Sequence, residues 1–232
     1  MDLMHLFSSW LTFYTIAFLL TPILQVREWL RRGSADGFSA LALVIAFFTG
    51  CLWLRYNLLI GDIYNIIVNA VAIVLMSGYV AVYAYMHPKP SIVTMQYMAA
   101  LSIATGLFMF VATLDESYAP TTMGSLATIF KLLSMTGGVY EIKRTIALGT
   151  SEYLPLSWQL SLFTVYIQWV VYGLIKGNFF FIVTNAASFA LSSATLSLYF
   201  FYPPVTWRVP VIGTQQTGAE AKKLLVESKK KD

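Results

Sequence analysis

Two stretches of the chain carry the same pair of residues with side chains suited to binding a polar ring. Trp53 and Asn69 return as Trp169 and Asn185, in each case 116 residues later. An asparagine amide offers two hydrogen-bond donors and an acceptor, and an indole offers a flat apolar face. A neutral ring with many hydroxyl groups fits both, because its hydroxyls bind the amides while its C–H faces stack on the indoles. These four residues therefore predict a substrate-binding site for a sugar.

The composition indicates an integral membrane protein. The chain has 232 residues, of which 58% are hydrophobic and 11% charged, with a mean hydropathy of +0.68; soluble domains are typically about 25% charged. One cysteine and two histidines form neither a disulfide framework nor a metal cluster. We find no nucleophile and base in a catalytic pattern, so we expect no enzyme and no cofactor. The net charge of +4 suits an anionic lipid surface and not a nucleic acid.

Seven segments are apolar and long enough to cross a bilayer, which takes about 20 residues. They are residues 5–26, 38–60, 63–86, 93–114, 122–142, 154–175 and 178–202. Basic residues follow the first, third and fifth segments and fill the C-terminal tail. By the positive-inside rule this predicts an all-α membrane protein of seven transmembrane helices, with the N-terminus outside and the C-terminus cytosolic.

The repeat divides the chain into two similar halves. The same offset pairs Gly33 with Gly149, so the copies extend over 5–88 and 122–204. Each copy holds three helices, and a single crossing, 93–114, is needed for both to run the same way. We therefore predict a 3+1+3 arrangement of parallel repeats of three-helix bundles, of a kind known in transporters. Residues 205–232 are polar and lysine-rich, which predicts a disordered basic cytosolic tail.

Helix rise places the duplicated side chains at one depth. The tryptophans and asparagines lie roughly 10–12 Å below the turns near Gly61 and its copy, at about 1.5 Å per residue. Tryptophan can instead be an interfacial anchor, and asparagine can simply bond a neighbouring helix for about 1 kcal/mol. Duplication at equal depth favours a site shared by the halves. Tyr56 and Tyr172 lie nearer the outer surface, close to Asp62 and Asn178, and either close an external gate or anchor in the aromatic belt.

Charged residues inside the spans bear on the transport mechanism. Arg55 either snorkels outward or has a function, and Lys131 either faces the cavity or reaches Asp115 or Glu116. The middle of every predicted span lacks Asp and Glu. Proton-coupled carriers usually need a titratable group there, so we expect facilitated diffusion.

Taken together, these motifs resemble those of the SWEET (saliva-type) sugar transporter family, over residues 7–204, and most closely an animal-like member. The resemblance is carried by the two asparagines and by four motifs: Gly33 to Ser39, Trp53 to Tyr56, Thr150 to Pro155 and Trp169 to Leu174. It implies a bidirectional uniporter for mono- or disaccharides, with the paired Asn and Trp residues holding the substrate and with alternating access.

The resemblance also assigns roles to further residues. It implies that Thr49 and Val165 line the pocket. It implies external gate pairs of Tyr56 with Asn178 and of Tyr172 with Asp62, although the family commonly has Asp at position 178. Four helix prolines act as hinges in the family, and this chain departs from that pattern. It keeps the prolines at Pro22 and Pro155 and replaces the other two with Ala42 and Gly138.

Two rival functions and several properties stay open. A PQ-loop-type proton-coupled amino-acid carrier is weakened because Ile23, and not Gln, follows Pro22. A seven-helix receptor would lack the internal duplication. The family resemblance implies the plasma membrane. The final residues 229–232, Lys-Lys-Lys-Asp, fit either a basic tail that rests on anionic lipid or a retrieval signal for the Golgi or ER. The expected partners are a small-molecule sugar and the lipid bilayer, and both a monomer and a homo-oligomer are open.

Overall fold

The computed structural model describes residues 3–35, 39–207 and 209, and within them the protein is all-helical. The described residues form nine helices. They are α1 Leu3–Leu19, α2 Pro22–Arg32, α3 Leu41–Ile60, α4 Ile63–Met86, α5 Pro90–Ala112, α6 Ala119–Ser134, α7 Thr136–Leu148, α8 Leu156–Lys176 and α9 Phe179–Phe201.

Six helical stretches of the described chain are long and apolar enough to cross a membrane. They are Leu3–Arg32, which comprises α1 and α2, and the single helices α3, α4, α5, α8 and α9. The structure differs from the sequence-based expectation at the fifth span, which is predicted as one helix over 122–142. It is divided at Met135 into α6 and α7, with 16 and 13 residues, and each is shorter than the membrane thickness requires.

The two divided spans break at equivalent places in the repeat. α1 ends at Leu19 and α2 begins at Pro22, where the proline ring prevents an unbroken helix. Gly138 is the residue 116 positions after Pro22, and it lies in the first turn of α7, just after the second break. Proline thus marks the break in one copy, and the pair Gly137-Gly138, which lowers helix propensity, marks it in the other.

Glycines in the left-handed region end four helices, again in pairs. Gly33 and Gly149 end α2 and α7 with φ of 73° and 65°. Gly61 and Gly177 end α3 and α8 with φ of 69° and 62°. Glycine reaches this conformation without a Cβ clash, so both tight hairpins, α3 to α4 and α8 to α9, turn directly after it.

The chain forms two compact units, and α6 belongs to the first. Unit 1 is Met1–Ser134 and unit 2 is Met135–Asp232. In unit 1, α4 packs against α1, α2 and α3, and α3 also packs against α5 and α6. In unit 2, α9 packs against α7 and α8. The units therefore differ from the sequence repeats, because α6 belongs to the second repeat by sequence and yet packs on α3.

Each unit has its own apolar core. One cluster of unit 1 surrounds Trp29 and Tyr83, whose rings pack edge to face at 5.2 Å. A second surrounds Phe47 and Tyr79, and the ring of Tyr97 in α5 packs at a tilt against Phe47, with ring centroids 4.5 Å apart. α5, predicted as the unrepeated crossing, is thereby part of the core of unit 1.

The core of unit 2 includes part of the predicted tail. Val209 is buried together with Leu154, Leu198 and Tyr199, and Trp207 packs against this cluster. Residues 205–207 and 209 are therefore ordered by contacts, which corrects the expectation of disorder for them. Residue 208 and residues 210–232 lie outside the described residues.

Candidate functional site

The two repeated asparagines have the same local geometry. Asn69 lies in α4 and Asn185 in α9, and both are half-buried. The Nδ2 of Asn69 donates to the carbonyl of Asn65 at 2.8 Å, and the Nδ2 of Asn185 donates to the carbonyl of Phe181 at 2.9 Å. Among the described residues, each side-chain amide makes this one hydrogen bond. Each amide therefore keeps one N–H and its Oδ1 for a ligand, with its rotamer fixed by the helix.

The repeated tryptophans each pack against a tyrosine one turn further along the helix. Trp53 and Tyr56 of α3 meet edge to face with centroids 5.6 Å apart, and Trp169 and Tyr172 of α8 do so at 5.2 Å. Both tyrosines are buried, with exposed fractions of 3% and 0%. Such a pair contributes about 0.5–1.5 kcal/mol beyond its buried area, so the tyrosines fix the indole planes in both units.

The residues implied to line the pocket lie one turn before each tryptophan. Thr49 of α3 and Val165 of α8 are both buried. The Thr49 hydroxyl donates to the carbonyl of Ile45 at 2.9 Å, so a ligand would find its oxygen as an acceptor. The two copies thus present one polar and one apolar surface of similar size.

The acidic and amide residues implied in the gates are helix N-caps. The carboxylate of Asp62 accepts from the backbone N–H of Asn65 at 3.3 Å and from its Nδ2 at 3.0 Å. Asn178 accepts from the N–H of Phe181 at 3.2 Å. Capping orders the first turns of α4 and α9, the helices that carry the repeated asparagines. The pairing of each cap with a tyrosine of the other half stays a prediction.

The implied hinge residues have different surroundings. Pro22 is the first residue of α2 and Pro155 caps α8 in an extended conformation, with φ of −76° and ψ of 109°. A Cβ on Gly138 would lie 2.7 Å from Cδ2 of Leu191, so glycine at this position also permits α7 to approach α9. Ala42 continues α3 without a break. Hinge motion at these residues stays a prediction.

One departure from the repeat was missed by the sequence analysis. Asn57 of α3 is fully buried, and in the described chain its Nδ2 and Oδ1 have no hydrogen-bond partner. Its copy is Gly173, where a Cβ would lie 3.1 Å from the backbone nitrogen of Ile182. The offset of 116 residues pairs the two positions, so aligning the repeats would have revealed the difference.

The sequence matches a known protein family in both halves. The profile of a family described as "Sugar efflux transporter for intercellular exchange" (MtN3/saliva) matches the chain twice, over residues 5–91 and 121–206. The chain belongs to this family. The two matched segments lie on either side of α5 and each contains one Trp and Asn pair of the site.

Individual SWEET relatives occur in plants and animals. The "Bidirectional sugar transporter SWEET13" of Oryza sativa subsp. japonica is 26% identical over 204 residues, which are 86% of this chain and 68% of the relative. The "Sugar transporter SWEET1" of Danio rerio is 26% identical over 220 residues, which are 90% of this chain and 97% of the relative. The resemblance drawn from the motifs is therefore confirmed for the family.

A solved structure shares the fold. The structure of a eukaryotic SWEET transporter superposes with a TM-score of 0.75 at 18% identity, covering 87% of this chain and 99% of that chain. At this identity the match concerns the fold. The all-helical membrane fold expected from the sequence is confirmed, and the chain is a SWEET-family sugar transporter.

Proposed function

We propose that this SWEET-family chain is a bidirectional uniporter that lets mono- or disaccharides cross a membrane down their gradient. The observation that supports the proposal is that Asn69 and Asn185 make the same hydrogen bond. In both units the same amide is anchored through one N–H to its own helix and keeps its remaining groups for a ligand.

The chemistry of the surrounding residues supports a sugar and not a charged substrate. Amides and indoles bind hydroxyl and C–H groups, and the positions one turn from the tryptophans are Thr49 and Val165. No carboxylate lies near the middle of a predicted span to balance an amino group or to carry a proton. This favours passive sugar transport over a proton-coupled amino-acid carrier.

The membrane arrangement completes the proposal. We infer a 3+1+3 arrangement of parallel repeats with seven crossings, in which α6 and α7 together make the fifth. The N-terminus lies outside and the C-terminus in the cytosol, because Arg27, Arg31 and Arg32 of α2 and the other basic clusters lie at one set of helix ends. Tyr56, Tyr172, Asp62 and Asn178 close the external gate. The plasma membrane is the proposed location, and a Golgi or ER location is the alternative.

Radiolabelled glucose flux in liposomes tests the function. The purified full chain is reconstituted without an ion gradient, and sucrose and trehalose are added as competitors. We expect saturable flux in both directions that Asn69→Ala and Asn185→Ala each abolish. Absence of sugar flux, together with amino-acid uptake that requires a pH gradient, would replace the proposal with the PQ-loop-type carrier.

Gln168 provides a matched control for the asparagine variants. Its Nε2 donates to the carbonyl of Thr164 at 2.9 Å, the same type of bond that anchors Asn69 and Asn185. Its copy in the first half is Leu52, so this amide is not duplicated. We expect Gln168→Ala to keep most of the flux. Equal loss in all three variants would mean that the amides act by stabilising helices.

A further inference from the structure

The segment that follows α9 is fastened to the loop before α8 by one carboxylate. The side chain of Glu152 accepts hydrogen bonds from the backbone N–H groups of Val205 at 2.7 Å and Thr206 at 3.0 Å, and from the hydroxyl of Thr206. Hydrogen bonds to an ionised carboxylate are roughly twice as strong as neutral ones. Three on one side chain make Glu152 a firm point of attachment.

Further contacts join the same two segments. The N–H of Ser151 donates to the carbonyl of Tyr202 at 2.8 Å, and the indole N–H of Trp207 donates to the carbonyl of Glu152 at 3.4 Å. Near these contacts, the hydroxyl of Tyr199 in α9 donates to the carbonyl of Leu154, just before α8, at 2.8 Å. We call residues 203–207 and 209 the strap, in which Val209 is 2% exposed.

The first copy of the repeat has different residues at the positions of the two donors. The residues equivalent to Val205 and Thr206 are Lys89 and Pro90. The N–H of Lys89 donates to Nδ1 of His87 at 3.0 Å, and proline has neither an N–H nor a hydroxyl. Pro90 is instead the first residue of α5, so the chain leaves the first copy as a helix. Asp36, the residue equivalent to Glu152, lies outside the described residues, and within the described part of the chain the attachment is seen in the second copy.

We propose that the strap fastens the cytosolic ends of α8 and α9 to each other and thereby sets the rate of the transport cycle. The inference rests on the proposed function, and it adds a conformational device outside the sugar site. Trp169 is roughly 20 Å along α8 from Leu156, at about 1.5 Å per residue. The strap therefore acts on the movement of unit 2 and has no contact with the sugar.

Limited proteolysis tests the attachment itself, independently of transport. Trypsin cleaves after Arg208, between the described residues Trp207 and Val209, and mass spectrometry measures cleavage at this bond. We expect Glu152→Ala and Thr206→Val to raise the cleavage rate roughly tenfold, since local opening becomes easier when charge-assisted hydrogen bonds are lost. The matched control is Glu141→Gln, which removes a half-exposed acidic charge of α7 that pairs with Arg144 at 3.6 Å. It should leave the rate unchanged. If Glu152→Ala folds poorly, Glu152→Gln keeps its shape.

Sugar flux of the same variants tests the role in the cycle. We expect the maximal flux of Glu152→Ala to fall several-fold with KM unchanged, whereas Glu141→Gln keeps both values. Cleavage that stays slow in Glu152→Ala would overturn the attachment. Faster cleavage with unchanged maximal flux, or a change confined to KM, would overturn the role in the cycle. If the wild type moved no sugar, the proposed function would fail while the proteolysis result still decided whether Glu152 holds the strap.

Discussion

Tyr56 packs edge to face against Trp53, with ring centroids 5.6 Å apart and an interplanar angle of 82°. The equivalent pair, Tyr172 and Trp169, has 5.2 Å and 73°. In the proposed mechanism Tyr56 is a gate residue and Trp53 stacks on the sugar, so this contact would link opening of the gate to the shape of the site.

Two substitutions of Tyr56 separate its ring from its hydroxyl. Tyr56→Phe keeps the edge-to-face contact, so we expect KM for sugar to stay near the wild-type value while the maximal flux changes through the gate. Tyr56→Ala removes a ring that is 3% exposed and releases the Trp53 plane, so KM should rise as well. Flux measured over a range of sugar concentrations gives both values. An unchanged KM in Tyr56→Ala would show that Tyr56 does not position the indole.

Gly173 should tolerate substitution by alanine far less well than a glycine with free space around it. A Cβ there would lie 3.1 Å from the backbone nitrogen of Ile182 and from Cβ of Phe181, and backbone yields little. We expect Gly173→Ala to destabilise the protein by about 1–3 kcal/mol, the usual cost of overpacking, measured as a lower melting temperature in detergent.

Gly78→Ala is the control for this prediction. Gly78 lies inside α4, and a Cβ there would meet nothing within 4 Å. Alanine favours a helix interior over glycine by about 0.5–1 kcal/mol, so the melting temperature should rise slightly. A similar decrease in both variants would contradict close packing at Gly173.

The stability of unit 2 should depend on the ionisation of Glu152. Burial raises the pKa of this carboxyl, but the hydrogen bonds from Thr206 and Val205 outweigh it and hold the pKa below its ordinary 4.5. A group whose pKa is depressed by folding contributes stability above its unfolded pKa, and this contribution is lost as the pH falls through the folded value. The contribution of Glu152 to the melting temperature should therefore be constant near neutral pH and be lost with acidification below 4.5.

Comparison with Glu152→Gln isolates that contribution. The variant has no carboxyl to titrate, so it should start with a lower melting temperature and lose less of it on acidification. Parallel curves for wild type and variant would show that the attachment does not depend on the charge.

Sugar flux should be indifferent to a proton gradient. Because no carboxylate lies near the middle of a predicted span, a protonophore should leave the initial rate of glucose uptake into liposomes unchanged. The control is the same liposomes with an imposed pH gradient of either sign. Strong inhibition by the protonophore would contradict uniport.

Much of the helix layout could be predicted from sequence. The third predicted span, 63–86, coincides with α4, Ile63–Met86, and the sixth, 154–175, lies within two residues of α8. Apolar runs of membrane length, and glycines at their ends, indicate helix positions from neighbouring residues alone. Because of the repeat, each of these patterns occurs twice in the sequence.

The features that sequence missed depend on contacts between distant residues. Hydropathy records composition and not bending, so the break at Met135 was hidden in a continuous apolar run, although Gly138 aligns with Pro22. The strap has the polar composition of a tail, and its order comes from Glu152 and the Tyr199 cluster. Nothing in the sequence of α6 distinguishes packing on α3 from packing within its own repeat.

The position of α6 also bears on how the protein is made. Chains emerge N-terminus first, and compact units fold as they are completed. Because α6 packs on α3, unit 1 is complete only when Ser134 has been synthesised, well after the end of the first repeat. The ribosome therefore has to deliver the crossing helix α5 and the opening of the second copy before the first half can finish folding in the bilayer.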